Sequence, residues 1–197
     1  MKLSIITINL NNAEGLRKTI ESVINQTFKD FEYIIIDGGS TDGSVEIIKE
    51  YAVYINYWIS EPDKGIYNAM NKGIAVAKGE YCFFLNSGDY LIEKNILIKA
   101  LKNNSDIIAG YVSAEKGGRL INIFPPKYFT FRYLYYNNIP HQGEFIKREL
   151  FDKFGHYNDK YKILGDYEFN VRAMLSNATY EYINYSISMI NLDGISN

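Results

Sequence analysis

The chain has 197 residues, of which 47% are hydrophobic and 22% charged, and its formal net charge is −2 at pH 7. This length and composition are typical of a globular domain with a substantial core, and they exclude a disordered chain. The small negative charge, with no basic stripe, argues against a nucleic-acid-binding protein.

The sequence also suggests a compartment. The single cysteine, Cys82, lies in the apolar run YCFFL and has no partner for an internal disulfide, which favours a reducing environment. The N-terminal MKLSIITINL is typical of a strand rather than a signal peptide, and no apolar run approaches the roughly 20 residues that span a bilayer. We therefore expect a soluble, cytoplasmic protein.

The first half of the chain alternates strands with helices. Continuous apolar runs predict strands over residues 3–10, 31–37, 57–60, 80–86 and 105–112. Apolar residues at helical spacing, together with turn signals, predict helices over 13–26, 41–52, 65–79 and 93–104. Strands that are apolar along their whole length and separated by helices predict an α/β fold, with a mostly parallel central sheet flanked by helices.

From about residue 111 this alternation stops. Residues 111–124 predict a hairpin around Gly117-Gly118, residues 165–175 a helix and residues 179–185 a last strand. We expect this second half to form a mixed accessory region on the α/β half.

Polar residues follow four of the predicted strands. They are Thr7 and Asn9, Asp37, Glu61 and Asp63, and Asn86, Ser87 and Asp89. Ligands of open parallel sheets bind outside the carboxyl ends of the strands, so these residues are candidates for one site. A single loop carboxylate more often caps a helix or faces solvent, and their shared position is therefore the stronger signal.

Several familiar signatures are absent from the sequence. No G-x-G-x-x-G follows the first strand, GGSTDGS lacks the lysine of a P-loop, and Asp42 replaces the last glycine of a hydrolase elbow. Two histidines and one cysteine give little support to a zinc site or a Cys/His nucleophile.

Four other motifs are SIITINLN, IIIDGGSTDGS, EPDKGIYNAMNKGIAVAKGEYCFFLNSGD and GDYEF. Together they resemble the inverting family 2 glycosyltransferases of the GT-A fold, most closely the bacterial enzymes that build surface polysaccharides. The resemblance covers nearly the whole chain. It implies transfer of a sugar from a nucleotide-diphosphate donor, most often UDP-linked, to a saccharide or lipid-linked acceptor. It also implies one domain, with a donor-binding half at 1–110 and an acceptor-binding, catalytic-base half at 111–197.

The resemblance assigns the donor side first. Thr7 and Asn9 would line the base and ribose pocket, and Asp37 would accept a hydrogen bond from a ring N–H or a ribose hydroxyl. Gly38 and Gly39 would let the backbone turn sharply and approach the ligand. Asp42, in the same loop, is open to a second interpretation as the cap of the next helix.

The EPDKGIYNAMNKG segment would close over the donor. Lys64 would neutralise charge on the diphosphate, while Tyr67 and Asn71, four residues apart, would share one helix face. Lys64 as a solvated surface charge, and Asp63 as a helix cap, are the alternatives.

The LNSGD segment takes the place of the family's metal-binding D-x-D motif, but Asn86 replaces the first aspartate and only Asp89 keeps its charge. The resemblance implies that Asn86 bonds the ribose and that Asp89 holds Mg²⁺ or Mn²⁺, weakly without the nucleotide. A tight strand-to-helix turn would use the same residues. The incomplete motif leaves open a catalytically silent sugar-nucleotide-binding partner subunit. A sugar nucleotidyltransferase is less favoured, because NLNNAEG is neither glycine-rich nor basic.

For the acceptor side, the resemblance makes Asp166 of GDYEF the catalytic base that takes the proton of the acceptor hydroxyl. Its rival Glu168 is more simply explained by an ion pair with Arg172. His141 and Gln142 of IPHQGEF would lie beside the diphosphate or the acceptor, with a structural histidine as the alternative. The LDGIS segment at 192–196 resembles a flexible cover of the acceptor side.

Residues 124–136 contain seven aromatic side chains together with Lys127 and Arg132. Aromatic and basic side chains are typical of a membrane interface, so we expect peripheral contact with the inner face of the membrane through this segment. Aromatic packing over the sheet is the alternative.

Overall fold

The structure is a computed structural model that describes residues 1–192. The strands are β1 (Leu3–Asn9), β2 (Phe31–Asp37), β3 (Tyr57–Ser60), β4 (Tyr81–Phe84), β5 (Tyr90–Leu91), β6 (Ile107–Lys116), β7 (Arg119–Ile123), β8 (Glu144–Lys147) and β9 (Tyr180–Ile190). The α-helices are α1 (Ala13–Ile24), α2 (Ser44–Glu50), α3 (Ile66–Val76), α4 (Ile96–Ala100), α5 (Phe131–Tyr136), α6 (Glu149–Phe154) and α7 (Gly165–Leu175). Short 3₁₀ turns lie at Ala52–Tyr54 and His141–Gly143.

All these strands belong to one mixed sheet. Its order is β3-β2-β1-β4-β8-β6-β9-β5, with β7 paired to β6. The first four strands in this order are parallel, as the sequence predicted, and β1 lies between β2 and β4. This parallel arrangement brings the carboxyl ends of β1, β2 and β4 to the same edge.

The fifth predicted strand, which is β6, does not pair with β4. Strand β8, from the second half of the chain, is inserted antiparallel between β4 and β6. The sequence analysis missed β8 because EFIK is short and follows an irregular segment. The predicted boundary between the donor-binding half and the acceptor-binding half, at residue 110, falls inside β6, so the two halves share this strand.

The core has two layers, one on each face of the sheet. Residues Leu3 and Ile5 of β1 pack with α1, α2 and α4. Their neighbours Ile6 and Ile8 point to the other face, towards α3, α6 and α7. This alternation along β1 follows from the two-residue period of a strand. The prediction of a sheet covered by helices on both faces is thereby confirmed.

Several element boundaries differ from prediction. The helix expected over 93–104 is only the five-residue α4, and the last strand extends to Ile190 rather than residue 185. The hairpin around Gly117-Gly118 is confirmed: Lys116 pairs with Arg119, and both glycines have positive φ angles of 57° and 72°. Within residues 1–192, none of the helices has both the length and the apolar character needed to cross a bilayer.

The inserted strand is held by stacked aromatic rings. Phe145 of β8 is fully buried, and its ring centroid lies 4.7 Å from that of Phe83 on β4. We expect Phe145→Ala to lower the free energy of unfolding by about 3–5 kcal/mol, because it leaves a cavity beside Phe83 in the core. Urea unfolding measures this change. Phe131→Ala is the matched control, since that ring is 59% exposed, and it should change the stability little. Equal losses in the two variants would contradict the expectation.

Candidate active site

The loops that follow β1, β2 and β4 are joined by hydrogen bonds at the carboxyl edge of the sheet. Asn9 and Asp37 are register partners at the ends of β1 and β2, and Asn9 Nδ2 donates to Asp37 Oδ1 at 2.7 Å. On the other side, Asn12 Nδ2 donates to the carbonyl of Ser87 at 3.0 Å. The end of β3 joins them, because Ser60 Oγ donates to Asp37 Oδ2 at 2.6 Å and Glu61 N–H donates to the carbonyl of Asp37 at 3.0 Å. The structure therefore brings all four predicted polar strand ends to this edge.

Asp37 organises the loop that follows it. Its Oδ1 accepts hydrogen bonds from Asn9 and Ser40 Oγ, and its Oδ2 accepts from Ser60 Oγ and the backbone N–H groups of Gly39 and Ser40. Burial tends to raise the pKa of this carboxyl group, but the hydrogen bonds from Ser40, Ser60 and Asn9 lower it below its usual value. The group is therefore ionised at neutral pH.

The expected contact between Asp37 and a nucleoside competes with hydrogen bonds inside the protein. The side chain is fully buried, and both oxygens are already occupied by protein donors. A direct contact would require one of these bonds to break, so the contact stays a prediction. The structure instead gives Asp37 the role of shaping the loop.

The glycine-rich loop owes its shape to local chemistry. Gly39 has a φ of +83°, where a side chain would be strained, and its backbone runs close to Pro62. Asp42 accepts hydrogen bonds from the first backbone N–H groups of two helices, those of Ala13 and Ser44. The helix-capping interpretation of Asp42 is confirmed.

Two of the predicted donor-binding residues have other partners. Thr7 is fully buried, and its hydroxyl donates to the carbonyl of Leu85 at 2.8 Å. Asn71 uses both ends of its amide on the backbone of Tyr157, at 2.8 and 3.1 Å. Both residues hold the scaffold of the site, and contact of either with a ligand stays a prediction. Sequence spacing could not reveal Tyr157, which lies 86 residues away from Asn71.

Asn9 and Asn86 differ from these two in one respect. The side-chain oxygen of each amide is buried and has no hydrogen-bond partner in the described structure. An unpaired buried acceptor costs about 1–3 kcal/mol, and a ligand hydroxyl or N–H could relieve that cost. These oxygens lie at the ends of β1 and β4, and each is a buried acceptor without a protein partner in the described structure.

The loop between β3 and α3 carries a free cation. Lys64 is exposed and forms no ion pair within residues 1–192, whereas Lys72 is paired with Glu61 at 2.8 Å. Lys64 therefore remains available to an anionic ligand. Asp63 accepts a hydrogen bond from Gly65 N–H at 2.9 Å, just before α3.

Asp166 lies in the first turn of α7, at the centre of a second hydrogen-bonded cluster. Its Oδ1 accepts from Tyr67 Oη and Tyr167 N–H, both at 2.9 Å. Its Oδ2 faces His141 Nδ1 at 3.2 Å and Asn138 Nδ2 at 3.3 Å. Tyr67 and Asn71 both point to the second half of the chain, which confirms that they share a helix face.

The charge of Asp166 is set by these neighbours. Burial favours the neutral acid, but the hydrogen bonds from His141, Tyr67 and the Tyr167 N–H lower the pKa of Asp166 below its usual value. The first turn of a helix also favours a negative charge. The residue is therefore ionised at neutral pH, the state that a base requires.

The turn at His141–Gly143 connects this cluster with the sheet edge. His141 Nε2 lies 3.1 Å from Asn86 Nδ2, so the amide donates to Nε2 and Nδ1–H donates to Asp166. The adjacent Gln142 donates from Nε2 to Asp89 Oδ2 at 3.0 Å. Asp166 is thus linked to the LNSGD loop through one intervening side chain.

A cleft of about 290 Å³ opens at Asp166. Tyr67, His141, Gln142 and Asn138 supply part of its polar wall. Its lining also includes apolar side chains, namely Ile66, Ile163, Leu164, Ile190 and Leu192. The cleft can therefore offer a base, hydrogen-bond donors and an apolar surface to one ligand.

Glu168, the rival base, is bound elsewhere. Arg172 donates to both of its oxygens, from Nε at 2.8 Å and Nη2 at 2.9 Å. The predicted ion pair is confirmed. The sequence did not single out Asn138, because an Asn-Asn pair after an aromatic-rich helix has no distinguishing pattern; its contact with Asp166 identifies it.

The LNSGD loop does not make a metal site from protein atoms alone. Asp89 is 4% exposed, and its oxygens accept from Asn191 N–H at 2.9 Å and from Gln142. Burial raises the pKa of this carboxyl group. Within residues 1–192 no group of three His, Cys, Asp or Glu side chains could hold an ion. Metal binding by Asp89 stays a prediction, and it would need ligand oxygens and new partners for Asp89.

Comparison with known proteins decides the family. Residues 4–159 match the family described as glycosyl transferase family 2. The chain belongs to this family. It is 33% identical over 205 residues to a PGL/p-HBAD biosynthesis glycosyltransferase of Mycobacterium bovis, a match that covers 98% of this chain and 78% of the relative.

Two staphylococcal proteins are also similar to this family 2 glycosyltransferase. The poly(ribitol-phosphate) beta-N-acetylglucosaminyltransferase TarP of Staphylococcus aureus is 38% identical over 130 residues, covering 61% of this chain and 39% of TarP. The structure of S. aureus TarS 1-349 in complex with UDP-GlcNAc superimposes with a TM-score of 0.79 at 22% identity, covering 96% of this chain and 58% of that chain. The TarS match confirms the GT-A fold that the motifs implied, and this chain spans only part of both staphylococcal proteins.

The LDGIS segment falls almost wholly outside the described residues, which end at Leu192. Its predicted role over the acceptor side stays a prediction.

The hydrogen bonds of Asp37 lead to a stability prediction. We expect Asp37→Asn to lower the free energy of unfolding at pH 7 by about 1–3 kcal/mol, because an amide cannot accept all five bonds. A lowered folded-state pKa means that Asp37 stabilises the fold above the pKa of the unfolded chain and loses this effect as the pH falls through the folded value.

The difference between wild type and Asp37→Asn should therefore shrink as the pH falls below about 5 in urea unfolding experiments. Asp30→Asn is the control, since Asp30 is 63% exposed and its 3.8 Å contact with the N-terminus should contribute little. A difference that grows towards acid pH would contradict this account of Asp37.

Proposed function

We propose that this family 2 glycosyltransferase moves a sugar, with inversion, from a UDP-linked donor to a saccharide or lipid-linked acceptor in the synthesis of cell-surface polysaccharide or glycolipid. The single observation that carries the proposal is the ionised Asp166, which lies in a cleft and is connected through His141 to the LNSGD loop. The named activities of the similar proteins support this class of donor and acceptor.

Asp166 would act as the base. Its Oδ2 makes longer hydrogen bonds, 3.2 and 3.3 Å, than its Oδ1, and it is the oxygen that faces His141 and Asn138 in the cleft wall. This oxygen would take the proton of the acceptor hydroxyl as the hydroxyl oxygen bonds to the anomeric carbon. The bond from that carbon to the diphosphate would break at the same time, and its electron pair would leave with UDP.

His141 would position the base rather than replace it. The Nδ1–H of its imidazole donates to Asp166 and so orients the carboxylate, while Nε2 accepts from Asn86. This places His141 between the base and the donor side. Gln142 plays a related part by fixing Asp89.

The donor would bind along the sheet edge. The unpaired side-chain oxygens of Asn9 and Asn86 would accept from the hydroxyl groups or ring N–H of the nucleoside. The exposed ammonium group of Lys64 would contact the diphosphate. Asp37, Gly39, Thr7 and Asn71 would act mainly by holding these groups in place.

The buried Asp89 favours a second candidate, a subunit that binds the sugar nucleotide without turning it over. Each of its oxygens accepts one hydrogen bond within the protein, so a metal ion beside the leaving group would have to compete with Gln142 and the Asn191 N–H. A measurement of turnover separates the two candidates.

We expect Asp166→Asn to lower the rate of UDP release from the donor by about 10²- to 10⁴-fold, because the amide cannot accept the proton. Binding of UDP, measured by calorimetry, should change little. Glu168→Gln is the matched control, because Glu168 lies two residues further along α7 and is paired with Arg172, and it should keep most of the activity. An Asp166→Asn variant with full turnover would exclude Asp166 as the base, whereas a wild-type protein that binds UDP without any turnover would favour the silent subunit.

The metal prediction can be tested without activity. Since Asp89 alone cannot hold a divalent cation, we expect Mn²⁺ to leave the melting temperature unchanged in the absence of nucleotide. With UDP present, Mn²⁺ should raise the melting temperature above the value with UDP alone, because ligands that bind the folded state stabilise it. Asp89→Asn should abolish this additional rise. A Mn²⁺ effect without UDP, or one that persists in Asp89→Asn, would contradict the role given to Asp89.

A further inference from the structure

Residues 124–136, here called the aromatic surface, consist of an irregular segment and helix α5. Five of its aromatic side chains are exposed. Phe124, 51% exposed, packs against Tyr111 with ring centroids 4.7 Å apart, and the other four project into solvent: Tyr128, Phe131, Tyr135 and Tyr136 are 78%, 59%, 67% and 74% exposed. Apolar and aromatic groups exposed at this density on adjacent turns are unusual for a free surface and mark interaction sites.

The exposed rings are not needed to hold the segment in place. Other residues of the surface do this: Leu134 is buried, Phe129 stacks on Tyr180 with ring centroids 5.0 Å apart, and Tyr180 Oη donates to the carbonyl of Pro126 at 2.7 Å. The packing alternative from the sequence is therefore right for Phe129 and Leu134. It does not account for the four rings that project into solvent.

The charged residues of the segment that contains the aromatic surface have one sign. Residues 116–143 contain Lys116, Arg119, Lys127 and Arg132 and no acidic residue, although the whole chain has a net charge of −2. Lys127 and Arg132 are exposed and form no ion pair within residues 1–192. They line an open groove of about 460 Å³ together with Tyr128, Tyr133 and Tyr136. Two unpaired cations among tyrosine rings match an anionic partner.

We propose that the aromatic surface docks on an anionic lipid bilayer. Tyrosine rings, with an apolar body and a polar hydroxyl, settle at the level of lipid headgroups, and each basic residue near an anionic membrane contributes attraction that salt screens. An isolated charged pocket for a small anion would not explain the outward rings, whereas a lipid interface uses the rings and the cations together.

The location of the surface gives the docking a consequence for the active site. Helix α5 ends at Tyr136, and two residues later Asn138 donates to Asp166 Oδ2 at 3.3 Å. The docked face is therefore covalently continuous with the wall of the acceptor cleft. A lipid-anchored acceptor would reach the base from the side on which the protein rests. This consequence rests on the proposed function, but the docking itself does not.

The test is co-sedimentation of the full chain with phosphatidylcholine vesicles that contain or lack phosphatidylglycerol, without donor or acceptor. We expect binding to the anionic vesicles only, with affinity that falls as salt is added. Lys127→Gln plus Arg132→Gln should weaken binding roughly 30-fold, at about fivefold for each cation. Tyr128→Ser plus Tyr136→Ser should weaken it by about tenfold or more.

Lys49→Gln plus Tyr54→Ser is the matched control, because both side chains are exposed on or just after α2, and it should bind as the wild type does. No binding to anionic vesicles at low salt, or equal binding by all variants, would overturn the proposal. Binding to soluble dextran sulfate but to neither vesicle would also overturn it and assign the surface to a charged polymer. Vesicle binding by a chain without turnover would leave the docking intact and refute only the proposed function.

Discussion

The site depends on one topological constraint, the antiparallel insertion of β8 between β4 and β6. Because β8 begins where β4 ends, the turn that precedes β8 must lie at the carboxyl edge of β4. This turn carries His141 and Gln142, which contact Asn86 and Asp89 of the loop after β4 and, on the other side, Asp166. Strand pairing in the interior thus fixes the relative positions of the base and the donor-side loop. The stacked rings of Phe83 and Phe145 secure that pairing.

The buried carboxyl groups at this edge have pKa shifts of opposite direction, because their surroundings differ. Asp166 and Asp37 are both buried, yet several donors surround each of them and lower its pKa. Glu144, which starts β8, is buried with Asn170 as its one side-chain donor, and burial raises its pKa well above the usual value. The donors around Asp37 and Asp166 outweigh burial, whereas burial and the negative charge of Asp166 outweigh the single donor of Glu144. A carboxylate that acts as a base at neutral pH needs a lowered pKa, and Asp166 meets this requirement.

The residues of the aromatic surface form two sets with different roles. One set, with Phe129 and Leu134, joins the segment to β9 and α7, and the other remains in solvent beside unpaired cations. Composition alone marked the segment as unusual but could not assign its members to either set. The division depends on which rings meet Tyr180, more than 40 residues further along the chain.

The sequence by itself determined the parallel strands, the helices between them and the hairpin at Gly117-Gly118, because these follow from short-range patterns of apolar and turn residues. Its motifs also carried the resemblance to the family that the comparison then confirmed. It also determined which strand ends carry polar groups, and it identified the Glu168–Arg172 pair, whose members lie one helical turn apart. Tertiary structure alone decided what each polar group touches. Asp37 is occupied by the protein, Asn9 and Asn86 keep unpaired oxygens, and Tyr67 meets Asp166 across 99 residues of sequence. Hydrogen bonds between distant segments leave no periodic trace in a single sequence, so only the folded chain reveals them.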